Sequence, residues 1–142
     1  MIPRNKYLEI LKVMPRPCVD CVIMYKGMFL LGHRSINPDK CKWGLIGGMV
    51  KMGETTEEAV VRKCKEEAGI NVDINNVKLL GIFTCFGETR QDICMTYKVE
   101  VDKPNGITLD YQHDNYCWAN KATLPNNMNQ FALKQIELLG DN

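Results

Sequence analysis

The sequence has almost no excess of charge of either sign. Its 142 residues carry 18 Lys and Arg against 17 Asp and Glu, which gives a formal net charge of +1. A protein with so balanced a charge has no long-range field that would attract nucleic acid or an anionic membrane. We therefore expect neither nucleic acid nor a membrane as a partner, and any anion must bind at a local site.

Long hydrophobic runs are lacking as well. CVIMY (21–25) and MFLLG (28–32) are far shorter than the roughly 20 apolar residues that cross a bilayer. Residues 1–15 carry charges where a secretory signal peptide needs an apolar segment. The seven cysteines are odd in number, so they cannot all pair within the chain. Together these features predict a protein of the reducing cytoplasm.

A complete zinc motif is also missing. CVDC at 18–21 has the spacing of two metal ligands, but no second Cys or His pair accompanies it, and its alternation is typical of a strand. The sequence contains no repeats, low-complexity segments or linkers between domains. We therefore expect residues 1–142 to form one domain and CVDC to be part of a strand.

Turn residues and hydrophobic periodicity predict strands interleaved with helices. Lys26–Gly27 separates two apolar runs by two residues, which is the pattern of a tight hairpin. The predicted elements are a helix at 5–13, strands at 18–25 and 28–33, a helix from about 57 to 69, strands at 77–86 and 92–101, a turn at 102–106, a strand near 114–118 and a helix at 128–139. This order is typical of an α/β domain in which helices cover a mixed sheet.

The stretch GMVKMGETTEEAVVRKCKEEAGI, residues 48–70, gathers carboxylates on a predicted helix. Thr55, followed three residues later by Glu58, forms a capping box that places the start of the helix at about Glu57. At about 100° per residue the helix has an apolar arc and a polar arc. The apolar arc comprises Val60, Val61, Cys64 and Ala68, and the polar arc comprises Glu58, Arg62, Lys63, Glu66 and Glu67.

The polar arc allows two interpretations. In the first it is a solvated surface, on which pairs four residues apart, such as Glu58 with Arg62, contribute about 0.2–0.5 kcal/mol each. In the second, the glycines that precede the helix let the chain turn back toward the acidic arc. Adjacent Glu66 and Glu67, with Glu54 just before the helix, then offer the oxygen ligands that Mg²⁺ prefers. The glycine-rich approach favours the second interpretation.

The spacing of these residues resembles the box of the Nudix hydrolases, a MutT-like family. That box reads Gly, five residues, Glu, seven residues, Arg-Glu-apolar-x-Glu-Glu-x-Gly-apolar. The matching residues of this chain are Gly48, Glu54, Arg62, Glu66, Glu67, Gly69 and Ile70. The resemblance implies an α/β/α sandwich with a mixed sheet. It also implies hydrolysis of a nucleoside diphosphate linked to another group, with Mg²⁺, or alternatively Mn²⁺, as cofactor.

The same resemblance implies roles for the matched residues. Glu66 and Glu67 would hold the metal ion, with the carbonyl of Gly47 as a further ligand, and Glu67 would thereby take part in catalysis. Arg62 and Glu54 would orient these carboxylates, and Arg62 would also bind substrate. The expected partner is a small-molecule nucleotide, and the family likeness favours a homodimer.

One position departs from the box. Where the box has a glutamate after its arginine, this chain has Lys63, which on the helical wheel projects between Glu66 and Glu67. Two unit charges about 4 Å apart interact by roughly 4 kcal/mol at an effective dielectric constant of about 20. We therefore expect Lys63 to discourage a second or third metal ion. In many Nudix enzymes the missing glutamate binds metal or serves as the base, so either another residue is the base, or the enzyme is weak, or Lys63 is a harmless substitution.

A substitute base is present in YQHDNYCW, residues 111–118. This segment and FLLGHRS, residues 29–35, resemble the GDP-mannose mannosyl hydrolase branch of the family, in which a nonacidic residue also follows the box arginine. Carried over, the resemblance makes His113 the catalytic base and Gln112 a metal ligand. Arg34 becomes the catalytic, substrate-binding cation that balances charge on the departing diphosphate.

The branch resemblance extends to Asp20, which would bind substrate, but not to every position. Met49 stands where the branch has an arginine, and Glu66 stands where it has an alanine. Three functions therefore remain open: hydrolysis of a nucleotide sugar at the anomeric carbon with GDP leaving, cleavage of a P–O–P bond in another nucleotide, and noncatalytic nucleotide binding by a site that Lys63 has disabled.

Overall fold

The computed structural model describes residues 1–104 and 106–140. In chain order these residues form helix α1 (Arg4–Val13), strands β1 (Arg16–Tyr25), β2 (Met28–Arg34), β3 (Trp43–Gly44) and β4 (Ile46–Met49), helix α2 (Thr56–Ala68), strands β5 (Val77–Phe86), β6 (Gln91–Glu100) and β7 (His113–Ala119), and helix α3 (Gln130–Ile136). Short 3₁₀ helices precede β5 and follow α3. Within the described residues, no helix is both long and apolar enough to cross a membrane.

Strand β1 lies at the centre of a mixed sheet. It pairs in parallel with β6 and in antiparallel with β2 and β4, and the sheet runs in the order β3-β2-β1-β6-β5, with β7 paired to β2. The β1–β2 hairpin turns at Lys26 and Gly27, which have φ of 48° and 77°. Positive φ at both central residues is the backbone of the favoured two-residue hairpin turn. The predicted hairpin and mixed sheet are confirmed.

Helices α2 and α3 cover opposite faces of this sheet. Successive side chains of a strand point to opposite faces, and those of β1 divide between two hydrophobic cores. Val19 and Ile23 pack in the core that contains the apolar side chains of α2. Val22 and Met24 pack in the core that contains those of α3. The predicted α/β/α sandwich is therefore confirmed.

Helix α2 begins and ends at signals that the sequence contains. The Thr55 hydroxyl accepts a hydrogen bond from the Glu58 N–H at 3.1 Å, and donates one to the Glu58 carboxylate at 3.2 Å. Gly69 takes the left-handed conformation, with φ of 70°, and its N–H donates to the carbonyls of Cys64 and Lys65. The predicted helix is thus confirmed, with both ends displaced by one residue.

The structure has two strands, β3 and β4, where the sequence pattern predicts a loop. Strand β4 pairs with β1 so that Gly47 lies opposite Asp20. A Cβ on Gly47 would collide with the Asp20 carboxylate and the Val19 carbonyl, so this close approach requires glycine. Because glycine has a low strand propensity, the residues that make β4 possible also hide it from the sequence pattern.

The other predicted elements differ from the structure mainly at their ends. Helix α3 is shorter than the predicted 128–139: it begins after Asn129, whose side chain accepts from the Phe131 N–H, and a 3₁₀ helix at Glu137–Leu139 continues it. The predicted strands agree with the structure within two residues at each end. The predicted turn at 102–106 includes Asn105, which lies outside the described residues.

Helix α1 has no fully buried residue and is connected to the sheet by a chain of hydrogen bonds. Arg16 at the start of β1 donates from Nη1 to the Tyr7 hydroxyl at 2.9 Å. The same guanidinium donates from Nε and Nη2 to the two oxygens of Asp92 on β6, at 2.9 and 3.1 Å. Tyr7, Arg16 and Asp92 therefore form a continuous polar connection from α1 to the centre of the sheet.

Candidate active site

Glu67, in the last turn of α2, is buried against β4. Its side chain is 1% exposed, and its Oε2 accepts a hydrogen bond from the Gly47 N–H at 3.0 Å. Burial raises the pKa of this carboxyl to about 7, although the nearby Lys63 ammonium acts in the opposite direction. The polar arc of α2 is therefore more than a solvated surface, because its Glu67 side chain points into the protein.

Arg62 connects α2 to the segment that precedes it. Its Nε and Nη2 donate to the two oxygens of Glu54 at 3.0 and 2.7 Å, and Nη2 also donates to the Met49 carbonyl at 3.0 Å. Its Nη1 donates to Glu66 at 3.1 Å. The planar guanidinium suits such a fork, and its hydrogen bonds lower the pKa of the Glu54 carboxyl. Arg62 thereby holds Glu54, Glu66 and the end of β4 in a fixed relation.

Lys63 lies beside both of the adjacent carboxylates. Its Nζ is 3.5 Å from Glu66 Oε2 and 3.7 Å from Glu67 Oε2, and the residue is only 8% exposed. The stem of the side chain crosses Gly48, where a Cβ would come within 2.7 Å of Lys63 Cε. A fixed positive charge therefore lies where a metal ion bridging Glu66 and Glu67 would bind.

Glu67 also meets two residues of the segment that leads into β7. Ligand atoms of Glu67, Asp110 and His113 all lie within 4.8 Å of one another. Nδ1 of His113 is 3.6 Å from Asp110 Oδ1, and it is buried with no hydrogen-bond partner among the described residues. Two carboxylates and an imidazole around an unpartnered nitrogen fit a divalent cation.

His113 is held in this cluster by β2. Its ring packs against Gly32, where a Cβ would come within 2.6 Å of Cδ2. Burial lowers the pKa of the imidazole, despite the nearby Asp110, and so favours the neutral ring that accepts a proton or binds a cation. Gln112 lies next to the cluster, because its Nε2 donates to Asp110 Oδ2 at 3.2 Å.

A cleft of about 860 Å³ extends from Glu67 along the sheet. Arg34 lies in its wall, where Nε donates to the Pro38 carbonyl at 2.7 Å and holds the guanidinium in place. Burial lowers the pKa of Arg34, although the Glu67 carboxylate acts against this effect. The cleft therefore presents an anchored cation near the buried carboxylate.

The floor of the cleft contains a hydrogen-bonded carboxyl group. Gln135 of α3 donates through Nε2 to Asp20 Oδ2 at 2.7 Å and to the Thr96 hydroxyl at 2.8 Å. Burial raises the pKa of the Asp20 carboxyl. Asp20 is thus a fixed polar group in the cleft, connected to both β6 and α3.

The NUDIX domain family matches residues 14–139 of this chain. The chain belongs to the Nudix family. The predicted family is therefore confirmed, and the Glu54, Arg62, Glu66 and Glu67 side chains described above belong to its Nudix box.

Relatives in sequence and structure agree with Nudix membership. The low-salt glycan biosynthesis protein Agl8 of Haloferax volcanii is 32% identical over 120 residues, which cover 79% of this chain and 75% of that protein. The ADP-ribose pyrophosphatase of Methanocaldococcus jannaschii is 43% identical over 70 residues, which cover 49% of this chain and 40% of that protein. The crystal structure of a MutT NUDIX hydrolase from Burkholderia pseudomallei matches the fold with a TM-score of 0.81 and 24% identity, over 89% of this chain and 99% of that one.

The predicted residues fall into two groups in this Nudix protein. Gly47, Glu67, Arg34 and Asp20 line the cleft, whereas Arg62, Glu66, Gln112 and His113 lie outside its described lining. Glu66, a predicted metal ligand, is 42% exposed and pairs with Arg62 and Lys63. Of the adjacent acids in the Nudix box, Glu67 alone belongs to the ligand cluster found among the described residues.

Sequence reasoning missed Asp110. It lies two residues before Gln112 in the segment DYQHD. The signal that could have identified Asp110 was the presence of an acid close to the predicted site residues Gln112 and His113. CVDC, in contrast, lies within β1 as predicted. Its Cys21 is in the core beside α2 and its Cys18 lines the cleft.

Proposed function

We propose that this Nudix protein hydrolyses a nucleoside diphosphate linked to a sugar, such as GDP-mannose, by attack of water at the anomeric carbon with GDP as the leaving group. The observation that carries the proposal is the position of Lys63, within 3.7 Å of both Glu66 and Glu67. Its charge replaces a cation between these carboxylates. Glu67, which lies beside Asp110 and His113, is then left to hold a single ion.

Attack at carbon matches a site with few metal ions. The diphosphate leaves intact, so stabilisation is needed for the charge that grows on it. Bound Mg²⁺ or Mn²⁺ would supply electrostatic stabilisation of that charge. Glu67 is the residue proposed to hold the ion, with the Gly47 carbonyl, Gln112 and Glu66 as further ligands. Lys63 limits Glu66 in this role, because its ammonium neutralises that carboxylate.

Arg34 and His113 are assigned the two remaining tasks. The Arg34 guanidinium is already fixed at the cleft wall by the Pro38 carbonyl, so little ordering is needed when it contacts a diphosphate. His113 is the proposed base: its buried imidazole favours the neutral form, and its Nδ1 has no hydrogen-bond partner among the residues described. Asp20 and Arg62 are proposed to contribute to substrate binding.

A sugar-linked substrate is supported by two independent likenesses. The segments FLLGHRS and YQHDNYCW resemble the GDP-mannose mannosyl hydrolase branch. The relative from Haloferax volcanii, 32% identical, carries the name of a glycan biosynthesis protein. We infer a nucleotide sugar from the combination.

The second candidate function is cleavage of a P–O–P bond in another nucleotide. It is favoured by the retained Glu66, which keeps both acids of the box, and by the ADP-ribose pyrophosphatase that is 43% identical over the 70 residues it shares. In this case the attacked atom is phosphorus, and Lys63 is a harmless substitution beside a competent site.

Hydrolysis in ¹⁸O-labelled water separates the two functions. GDP-mannose, ADP-ribose and a panel of nucleoside triphosphates are incubated with the protein and Mg²⁺, and products are identified by mass spectrometry. The proposal expects the label in free mannose and unlabelled GDP. Label in a phosphate group would establish the second function, and no turnover of any compound would instead favour noncatalytic nucleotide binding.

We also propose that the protein forms a homodimer. Leu8 and Val13 of α1 are exposed, as are Leu79, Ile82 and Phe86 of β5, which pairs with β6 at one end of the strand order. A second copy would cover the exposed apolar side chains of β5. Sedimentation equilibrium checks the proposal, and a monomer at all concentrations measured contradicts it.

A further inference from the structure

The floor of the cleft contains two thiols that lie directly opposite each other on neighbouring strands. Cys18 of β1 and Cys94 of β6 are register partners in the parallel pairing of these strands. Both side chains line the cleft, and the two residues are 3% and 4% exposed. The pair is thus reached from the cleft and is otherwise enclosed by protein.

The distance between the two strands suits a covalent bridge. Neighbouring strands lie about 4.8 Å apart. Disulfide-bonded residues have Cα atoms about 4.4–6.8 Å apart. Opposite residues of a ladder point to the same face of the sheet, so neither strand has to turn over to bring the two sulfur atoms together.

Groups around the pair favour a reactive thiolate on one of its members. The adjacent Cys94 thiol lowers the pKa of Cys18, and the Arg16 guanidinium acts in the same direction, whereas burial and the Asp92 and Asp20 carboxylates oppose them. The pKa of Cys94 is raised by its interaction with Cys18 and by burial. Cys18 is therefore the attacking sulfur and Cys94 the neighbour that resolves the product.

The remaining thiols lack this combination of features. Cys21 and Cys64 are fully buried in the core beside α2, and hydrogen bonding to Cys64 raises the pKa of Cys21. Cys41 is exposed on the loop that precedes β3. Cys85 also lines the cleft, but its register partner on β6 is Asp92, and burial together with Asp92 raises its pKa. Cys117 of β7 packs against the core beside α3 and is outside the described cleft lining.

We propose that Cys18 and Cys94 are a redox modification site that a peroxide oxidises to an intramolecular disulfide. The Cys18 thiolate attacks one peroxide oxygen, the O–O bond breaks, and Cys18 becomes a sulfenic acid as hydroxide leaves and is protonated to water. Cys94 then attacks the Cys18 sulfur, the S–O bond breaks, and a second water leaves. Overall, the two thiols lose two protons and two electrons, which reduce one peroxide to two waters.

The test uses the reduced protein, residues 1–142, without nucleotide or metal, so its result does not depend on the proposed hydrolase activity. Hydrogen peroxide is added, free thiols are blocked with N-ethylmaleimide, and the peptides are mapped by mass spectrometry. We expect a peptide containing Cys18 linked to one containing Cys94, with fragmentation excluding Cys21. Intact mass should show a monomer that has lost two hydrogens, and dithiothreitol should reverse the change.

Matched variants define which thiols are needed. Cys18→Ser and Cys94→Ser should each abolish the cross-link, whereas Cys41→Ser should leave it intact. Recovery of Cys18 from the wild-type protein as a free thiol or as a sulfinic acid without a bridge overturns the proposal. So does a bridge from Cys94 to Cys85. Because the wild-type peptide map alone decides these outcomes, a variant that fails to fold does not prevent the test.

Discussion

The side chain of Lys63 determines the charge between the two acids of the Nudix box. The ammonium reaches Glu66 and Glu67 because its stem passes over Gly48, which has no side chain in the way. In a partly buried position such a charge is screened less by salt than one on the surface. We propose that this single residue limits the number of cations that the two adjacent acids can share.

Replacing Lys63 with glutamate should increase the number of bound divalent ions. The change removes a cation and supplies a third carboxylate beside Glu66 and Glu67, which together resemble the acidic cluster that hard cations favour. Titration with Mn²⁺, followed by electron paramagnetic resonance, counts the ions. Lys65→Glu is the matched control, since Lys65 is exposed on the same helix. An unchanged number of ions in the Lys63 variant contradicts the assigned role.

Replacing His113 with alanine tests whether this residue is the catalytic base or a metal ligand. If His113 is the base, His113→Ala lowers turnover by ~10²-fold or more. In the same variant the dissociation constant for Mn²⁺ stays close to that of the wild type. His33→Ala is the control, because the His33 ring pairs with Asp114 and does not belong to the cluster of Glu67, Asp110 and His113. A loss of less than about threefold rejects the role of base, since base catalysis is worth far more, and weaker Mn²⁺ binding identifies a ligand.

The sequence predicted the residues whose positions follow from local spacing. Glu54, Arg62 and Glu67 are fixed relative to one another by one helix and its capping segment, so their spacing carries geometric information. Asp110 reaches Glu67 only because the chain returns beside α2 after β5 and β6. No periodic pattern in the sequence reports this return of the chain. Asp110 was therefore not predicted as a site residue.

Helix α2 and strand β4 form the scaffold that positions these residues. The helix is fixed at one end by the Thr55 cap and at the other by Gly69. Strand β4 can lie close against β1 because Gly47 has no Cβ. The Gly47 N–H and the Glu67 carboxylate connect the strand directly to the helix. The geometry of the site thus depends on backbone features at both ends of the motif.

Loss of the N-terminal cap should destabilise α2. Thr55→Ala leaves the Glu58 N–H without its side-chain acceptor, and the free energy of unfolding should fall by about 1 kcal/mol. Urea denaturation followed by circular dichroism measures the change. Thr55→Ser keeps the hydroxyl and should remain within about 0.5 kcal/mol of the wild type, since serine and threonine are comparable caps. Equal stability of all three proteins would show that the cap contributes nothing.

The elements with strong local signals were predicted well. Helix α2 has a cap, an apolar arc and a terminal glycine, and the β1–β2 hairpin has a two-residue turn with glycine. Strands β3 and β4 have no such signals, because they are short and depend on pairing with β2 and β1. These strands form because they pair with segments distant in the sequence. Local strand propensity does not indicate such pairing.

At the scale of the whole protein, burial of Glu67 should lower the free energy of unfolding at neutral pH, while it places a carboxylate in the candidate site. Burial raises the pKa of Glu67 to about 7, so the folded state holds its proton more tightly than the unfolded chain does. Stability should therefore decrease as the pH rises from the ordinary range of a glutamate toward pH 7, and then level off. Binding of a cation that prefers the folded state would offset this loss.

Glu67→Gln should show how much the buried carboxylate lowers the free energy of unfolding when no divalent ion is present. With EDTA present, the variant should gain free energy of unfolding relative to the wild type at pH 8, and much less at pH 5, where the wild-type carboxyl is protonated. Thermal denaturation at both pH values measures the difference, and Glu100→Gln on the surface is the control. Added Mg²⁺ should stabilise the wild type more than the variant. A gain that is the same at both pH values contradicts the assignment.

The connection from Tyr7 through Arg16 to Asp92 has a practical consequence for production of the protein. Arg16 lines the cleft, and its guanidinium is shared between the first helix and the sheet. A change at α1 that breaks the Arg16–Tyr7 hydrogen bond would remove one of the contacts that hold this cleft-lining guanidinium. Data from amino-terminal fusions should therefore be compared with those from material whose tag has been cleaved.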